Sequence, residues 1–376
     1  MYKAMAGKTL ALAALLCGAA VANNIDHAVV VGDSLSDTQN LFALSGGVTP
    51  PLGIYYQGRF SDGPVWTDYV AADLGLTVNH ATAAAIATGT SGLAGTGFVD
   101  NYAVAGAFSG DYTVAGQTVS NANDLFNVMG GGMAVGIPGL QQQMQFYAAG
   151  PVDVNAAHVV WAGANDMLFS PFIDPSIPAN PAATLAFAQN VATNVATAAI
   201  DLVNAGASNV VVINLPDLGV TPFAQGNTPV NPLLGQQLLA AFGSPAALSA
   251  YLTALSQAFN ATLAFQLAAA GVDVTLFDVS AALQALLNDP AGNGIANITD
   301  PCLQSVTPTV SICDQSAGAY VFWDDVHPTT HVHSILASQL QPVMAAMPEP
   351  ASLTLLLAGV FMAGWTLRKQ ARSNIG

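Results

Sequence analysis

The chain has 376 residues, with 6 Lys and Arg against 22 Asp and Glu and a net charge of −16. Between Asn23 and Ala346 the single cation is Arg59, set against 21 Asp, so this span carries a formal charge of about −20. Binding to nucleic acid, which needs clustered Lys and Arg to neutralise phosphates, is excluded, and an anionic membrane surface is disfavoured for the same reason.

In chain order, Lys3 and Lys8 come first, then an apolar run over 9–19 and Ala20-Val21-Ala22 before Asn23. A charged start, an apolar centre and a small-x-small site read as a secretory signal peptide over 1–22. Cys17 lies inside it, and Leu15-Leu16 ahead of it suit lipoprotein processing poorly. The β-branched run Val29-Val30-Val31 then stops at Gly32-Asp33-Ser34. This reads as a buried strand that delivers a serine to the edge of a sheet. The plainer alternative is a strand followed by a Ser/Asp turn or helix cap.

A helix follows, with Asp62 as its cap and Val65, Trp66, Tyr69 and Val70 as its apolar stripe. The Ala/Thr/Gly-rich stretch 80–97 reads as loop, and 101–107 as a second strand ending at a glycine. Pro138 opens a helix over 138–149. A third strand spans 157–163 and leads into Asn165-Asp166; a helix over 182–204 closes at Gly206. Residues 209–217 make a fourth strand, 236–270 one or two helices stopped by Gly271, 272–278 a fifth strand and 331–344 a last helix. Alternating strands and helices predict a mainly parallel sheet covered on both faces, in one domain over 23–346. Long loops are expected at 80–100, 107–135, 168–182 and 216–235, the lengths at which binding loops occur.

Polar turns end three of these strands: Gly32-Asp33-Ser34, Ala105-Gly106-Ala107 and Gly163-Ala164-Asn165-Asp166. In a parallel sheet all three lie on one edge, where ligands bind. A fourth cluster, Asp324-Asp325-Val326-His327-Pro328, sets an Asp three residues before a His. On one loop such a pair lets the carboxylate hold Nδ1 while Nε2 faces outward, as a Ser–His–Asp triad requires. Ser34 would attack, His327 move the proton and Asp324 hold the tautomer. The N–H groups of Ser34 and Gly106 and the amide of Asn165 would receive the developing oxyanion. The Gly-x-Ser-x-Gly elbow of α/β-hydrolases is absent.

These four blocks, in this order, resemble a GDSL-type member of the SGNH hydrolases, in the secreted lipase/esterase/phospholipase branch; Gly58-Arg59-Phe60-Ser61-Asp62-Gly63-Pro64-Val65-Trp66 resembles the segment after its first block. The resemblance spans 28–334. It implies a three-layer α/β/α, flavodoxin-like fold with a parallel five-stranded sheet. It also implies Ser34 as nucleophile, His327 as base, Asp324 as its partner, and Ser34, Gly106 and Asn165 as the oxyanion hole. No cofactor or metal is expected. Gln39 departs from the pattern, which usually has Gly before Asn40. The expected activity is ester hydrolysis on an ester or lipid substrate. Acyl transfer to an alcohol, polysaccharide deacetylation and a silent surface or matrix protein are the alternatives.

The C-terminal segment 347–376 opens on Met347-Pro348-Glu349-Pro350. An apolar run over 351–367, 17 residues long, and a basic tail from Arg368 follow. That is the short limit of a spanning helix, and the order resembles the PEP-CTERM sorting signal. The resemblance implies export machinery and an exosortase as partners and transient membrane contact through 351–367. An ordinary membrane anchor is the alternative. In either case the main domain is expected outside the cytoplasm, and that context, with an even count, favours a Cys302–Cys313 disulfide.

Other residues carry structural expectations. Asp325 is expected as a solvated neighbour of the triad, Asp33 as the residue that orders the Ser34 turn, and Asp37 as a cap or turn residue. His27, His80, His158, His331 and His333 are expected to be structural. Arg59 should pair with an Asp, with contact to an anionic head group as its functional alternative.

Overall fold

The structure is a computed structural model that describes residues 25–114, 117–119, 136–306 and 308–345. The expected signal peptide (1–22) and sorting tail (347–376) lie outside the described residues.

The first strand, β1 (Ala28–Gly32), is buried along its whole length. Alternate side chains leave a strand on opposite faces. Ala28 and Val30 join one apolar cluster and Val29 and Val31 another. β1 lies between β3 (Phe98–Asn101) and β6 (Ala157–Trp161), parallel to both. With β2 (Thr77–His80), β7 (Asn209–Ile213) and β8 (Thr275–Phe277) they form a six-stranded sheet in the order β2-β3-β1-β6-β7-β8, with every pairing parallel. The order reverses between β1 and β6. In open α/β sheets that switch point is where a crevice opens beyond the carboxyl ends of the strands.

Helices cover both faces. On the Val29/Val31 side pack α4 (Leu140–Ala148), α5 (Ala164–Ile173), α7 (Pro181–Asn204) and α9 (Pro245–Ala270). On the Ala28/Val30 side pack α2 (Trp66–Leu74) and α11 (Thr330–Ala345). This is the expected three-layer α/β/α arrangement. Smaller elements complete the chain: α1 (Asn40–Leu44), α3 (Ala81–Thr88), the hairpin β4 (Tyr112–Val114) and β5 (Gln117–Val119), α6 (Ser176–Ala179), α8 (Pro232–Phe242), α10 (Val279–Asn288), β9 (Ile295–Pro301), β10 (Leu303–Ser305), β11 (Ser311–Ile312) and β12 (Ala319–Phe322).

The structure corrects the sequence reading at several points. The sheet has six strands rather than five, because β2 adds an edge strand at Thr77–His80. The expected loop at 80–97 contains α3. Its residues are nearly all Ala and Thr, so the helix carries no apolar/polar period to detect. The second strand is 98–101, not 101–107; Tyr102 N–H and Val104 N–H still donate to Val30 and Gly32 of β1 (2.7 and 3.2 Å), but the chain is already turning. The expected loop at 168–182 holds most of α5 and all of α6. Pro171 reads as a breaker, yet it sits inside α5, and the Ser170 hydroxyl donates to the Met167 carbonyl (2.7 Å) that a proline cannot reach. Asp62 does not cap α2. It accepts from Thr330 N–H (2.7 Å) at the start of α11, while Asp68 accepts from Val65 N–H (3.0 Å) at the start of α2.

Candidate active site

The turn that carries Ser34 is held from three sides. At Gly32 the strands come so close that an added Cβ would collide with the Trp161 carbonyl oxygen of β6. The buried Gln143 side chain of α4 grips Gly32 twice. Its Oε1 accepts from Gly32 N–H and its Nε2 donates to Gly32 O, each at 2.8 Å. Asp33 then orders the turn as expected: its carbonyl accepts from Ser36 and Asp37 N–H and its Oδ1 from Leu35 N–H (3.1 Å). Burial pushes the Asp33 carboxyl up to about 7, and its Oδ2 has no partner among the described residues. Asp37 is the cap that its sequence position suggests. It accepts from Gln39, Asn40 and Leu41 N–H at the start of α1 and from Ala105 N–H (2.9 Å), which ties the Ser34 turn to the Gly106 turn. Gln39 is accommodated by donating from Nε2 to Gln57 O (3.0 Å).

Across the crevice, β12 leads into Asp324 and His327. Ser34 Oγ lies 2.8 Å from His327 Nε2, and His327 Nδ1 lies 2.8 and 2.9 Å from the two Asp324 oxygens. With the proton on Nδ1 donated to Asp324, Nε2 is free to accept from the serine hydroxyl. Asp324 also accepts from the Val326 and His327 N–H groups (2.9 and 2.8 Å) and from the Tyr55 hydroxyl (2.7 Å). Burial works to raise the Asp324 pKa; His327 and the two backbone donors outweigh it and hold the carboxyl below its usual range. The Tyr55 hydroxyl is raised well above its ordinary value by burial and by Asp324, so it stays a donor. The Phe60 ring lies against His327, with centroids 4.9 Å apart.

Asp325 is not a solvated neighbour. It is buried and accepts from Val230 and Asn231 N–H (3.1 and 3.0 Å), fastening the 226–234 segment beside the triad. Burial and Asp324 push its carboxyl up to about 7. Cys302 and Cys313 are bonded to each other. Cys302 and Leu303 N–H donate to Phe322 and Trp323 O, so the disulfide loop is pinned to the strand end that presents Asp324.

Asn165 stands in the first turn of α5, just after Gly163, whose φ of +113° favours glycine. Its Nδ2 donates to Ala107 O (3.1 Å), which leaves the second amide hydrogen uncommitted. Ser109 donates through N–H and Oγ to Asp166, so the 105–109 turn is fastened to α5. Among the described residues the Ser34 and Gly106 N–H groups donate to no protein acceptor. Ser34, Asn165, Asp324 and His327 line one cavity of about 610 Å³; Gly106 lies in the adjoining turn and is not part of its wall. The wall is mostly apolar and comes from both sides of the sheet edge, with Leu168, Phe169 and Leu234 on one side and Leu283, Leu286 and Ile335 on the other.

The remaining candidates have structural places. Arg59 grips Asp68 with two hydrogen bonds (2.6 and 3.1 Å). His27 bridges Asp100 and Asp153, His158 meets the Tyr147 hydroxyl, His331 donates to Asn293 O and His333 Nδ1 accepts from Trp66 N–H. Among the described residues no three His, Cys, Asp or Glu side chains converge as metal ligands. Sequence reasoning missed Tyr55 and Gln143, which sit in segments with no motif of their own.

Residues 29–340 match the family of GDSL-like lipases/acylhydrolases. Among curated proteins, the chain is 25% identical over 341 residues to thermolabile hemolysin of Vibrio parahaemolyticus, covering 85% of this chain and 63% of that protein, so it spans just under two thirds of that relative's length. It is 26% identical over 352 residues to phosphatidylcholine-sterol acyltransferase of Aeromonas hydrophila, covering 82% of this chain and 87% of that one. It is 26% identical over 336 residues to a GDSL esterase/lipase of Arabidopsis thaliana, covering 82% and 86%.

Proposed function

The chain belongs to the GDSL-like lipase/acylhydrolase family and is a carboxylic ester hydrolase, and from that premise we propose that it works through Ser34, His327 and Asp324 on esters with a long apolar part. One observation carries this reading: Ser34 Oγ, His327 Nε2 and the Asp324 carboxylate stand in a hydrogen-bonded row on the wall of the 610 Å³ cavity. Ser34 Oγ attacks the ester carbonyl as His327 Nε2 takes its proton. Asp324 stays ionised and steadies the imidazolium. The oxyanion is received by the N–H groups of Ser34 and Gly106 and the free amide hydrogen of Asn165; each such donor contributes about 2.7–4 kcal/mol at the transition state. His327 returns the proton to the leaving alcohol, and a water that it activates releases the acyl group from Ser34.

Ser34→Ala should lower turnover of p-nitrophenyl esters by at least about 10⁴-fold while the fold is retained; unchanged turnover in a folded variant would sink the assignment. Across esters graded by acyl length, kcat/KM should rise well beyond acetyl, because an acetyl group leaves most of the cavity unfilled. That also weighs against polysaccharide deacetylation. Acyl transfer is the second reading, supported by the name of the Aeromonas relative. Products formed with water and an alcohol in competition separate the two. A silent matrix protein would leave Ser34 unlabelled by a fluorophosphonate.

We further propose an exported protein, with residues 1–22 handled by the export machinery and residues 347–376 by an exosortase. Terminal mass analysis of the protein from its native membrane and medium tests both cuts.

A further inference from the structure

Three segments meet at one corner of the cavity. Ile54 and Tyr55, Val230, and Leu303 and Val306 share a single apolar cluster, and all but Leu303 also line the cavity. Each segment turns other apolar residues outward. Val48 is 68% exposed, Leu52 59% and Leu233 74%, and Val310 and Ile312 are about half exposed. With Tyr56 these make six of the ten large exposed hydrophobic residues among the described residues. The rest of the surface does not explain this concentration, since single exposed apolar side chains are ordinary but a gathered set marks an interaction site.

Charge sharpens the point. Residues 48–56, 226–234 and 303–312 contain no Asp, Glu, Lys or Arg, in a domain of formal charge about −20. Asp300 reaches the margin, where Asn227 donates to it (3.1 Å), and Asp325 is buried beneath. Ionised groups resist transfer into a lipid interface, and the only cation of the domain, Arg59, is held by Asp68. The outer surface of these three segments is therefore apolar and free of charge, bordered by Asp300 and by the exposed Asp314, in an acidic molecule.

We propose that this rim, built on Val48, Leu52, Leu233 and the 310–312 hairpin, docks on an electrically neutral lipid surface from which the cavity takes its ester. The proposal deepens the ester-hydrolase reading and rests on it, because it treats the cavity as the place where the ester enters. The rim excludes water around the mouth, and its continuity with the apolar wall gives an acyl chain an unbroken path toward Ser34. The acidic domain repels anionic lipid, so a zwitterionic or uncharged surface is the matching partner.

The test uses the full chain with Cys17→Ser, so that a thiol-reactive, polarity-sensitive fluorophore meets only a newly placed cysteine. Labelled Leu52→Cys should shift to shorter wavelength when dioleoylphosphatidylcholine vesicles are added, and less with vesicles rich in phosphatidylglycerol. The same label at Phe265→Cys, exposed on α9, should not move. No shift at position 52, an equal shift at 265, or a larger one with the anionic vesicles overturns the proposal. Emission at position 52 that is already shifted before lipid is added also overturns it, by placing another segment or a second copy on the rim. In parallel, the triple variant Val48→Ser, Leu52→Ser, Leu233→Ser should hydrolyse a soluble p-nitrophenyl butyrate within twofold of wild type and lose at least tenfold on an emulsified long-chain ester. Retained activity on the emulsion overturns docking. Wild-type inactivity on the soluble ester would count against the hydrolase reading, and the fluorescence arm judges the rim independently of it.

Discussion

Among single residues, Tyr55 was the least visible in the sequence. Its hydroxyl reaches Asp324 across 269 positions of chain, in a segment whose only features are Pro, Gly and aromatic residues. Ser34, Asp324 and His327 were legible because two were adjacent within a short loop and the third ended a β-branched run. We place Tyr55 as a positioning residue that keeps the Asp324 carboxylate oriented. Tyr55→Phe removes one donor to a buried charge, so kcat on a soluble ester should fall about tenfold with KM unchanged. Without that donor the carboxylate becomes more basic and steadies protonated His327, so the acid limb of the kcat/KM profile should move to higher pH. A variant with full kcat and an unshifted profile would reduce Tyr55 to a packing role. Asp325 shows the opposite difficulty: from spacing alone it looks like a spare carboxylate, and only the 226–234 segment folded over it makes it an anchor.

Elements in the chain were legible where their pattern had a period. The strands at 28–32, 157–161 and 209–213 and the helix at 181–204 lie within two to four residues of their expected limits. Elements built from one kind of residue were not, as α3 shows. Helix α4 was visible, yet what it does was hidden, since nothing local says that Gln143 will meet Gly32. Gln143→Leu keeps the volume and removes both hydrogen bonds to Gly32, leaving its buried N–H without the Gln143 acceptor while Gly32 O keeps Val104 N–H. That should cost about 1–3 kcal/mol. Chemical denaturation should show the midpoint falling with an unchanged slope, and turnover should fall with it because the Ser34 turn loses its clamp. A stable, fully active variant would show that strand pairing alone holds the turn.

At the scale of the whole molecule the two edges of the sheet differ. The carboxyl edge carries the cavity; the other edge is tied by His27, which bridges Asp100 of β3 and Asp153 ahead of β6 (2.8 and 2.7 Å). Burial alone would lower the His27 pKa; the hydrogen bonds and charges of Asp100 and Asp153 outweigh it and raise it above 6.5. The folded state therefore binds the His27 proton more tightly than the unfolded chain does. This stabilisation is complete below the unfolded value of 6.5 and is lost as pH rises through the higher folded value. His27→Gln should lower the melting temperature most near pH 5.5, and the gap to wild type should narrow toward pH 9. A gap independent of pH would mean that His27 acts through neutral hydrogen bonds alone.

By itself the sequence determined the alternation of strand and helix, the polar turns that end the strands, and the Asp–x–x–His loop. These are local properties, set by side-chain periodicity and by what a turn allows, and a parallel sheet then places the turns on one edge. Tertiary structure decided what lies between those turns: the sixth strand, the Tyr55 donor, the Gln143 clamp, the burial of Asp325 and the uncharged rim. Each depends on segments far apart in the chain meeting in space. No local pattern records such a meeting, because its stability comes from excluding water between surfaces that only the completed fold brings together.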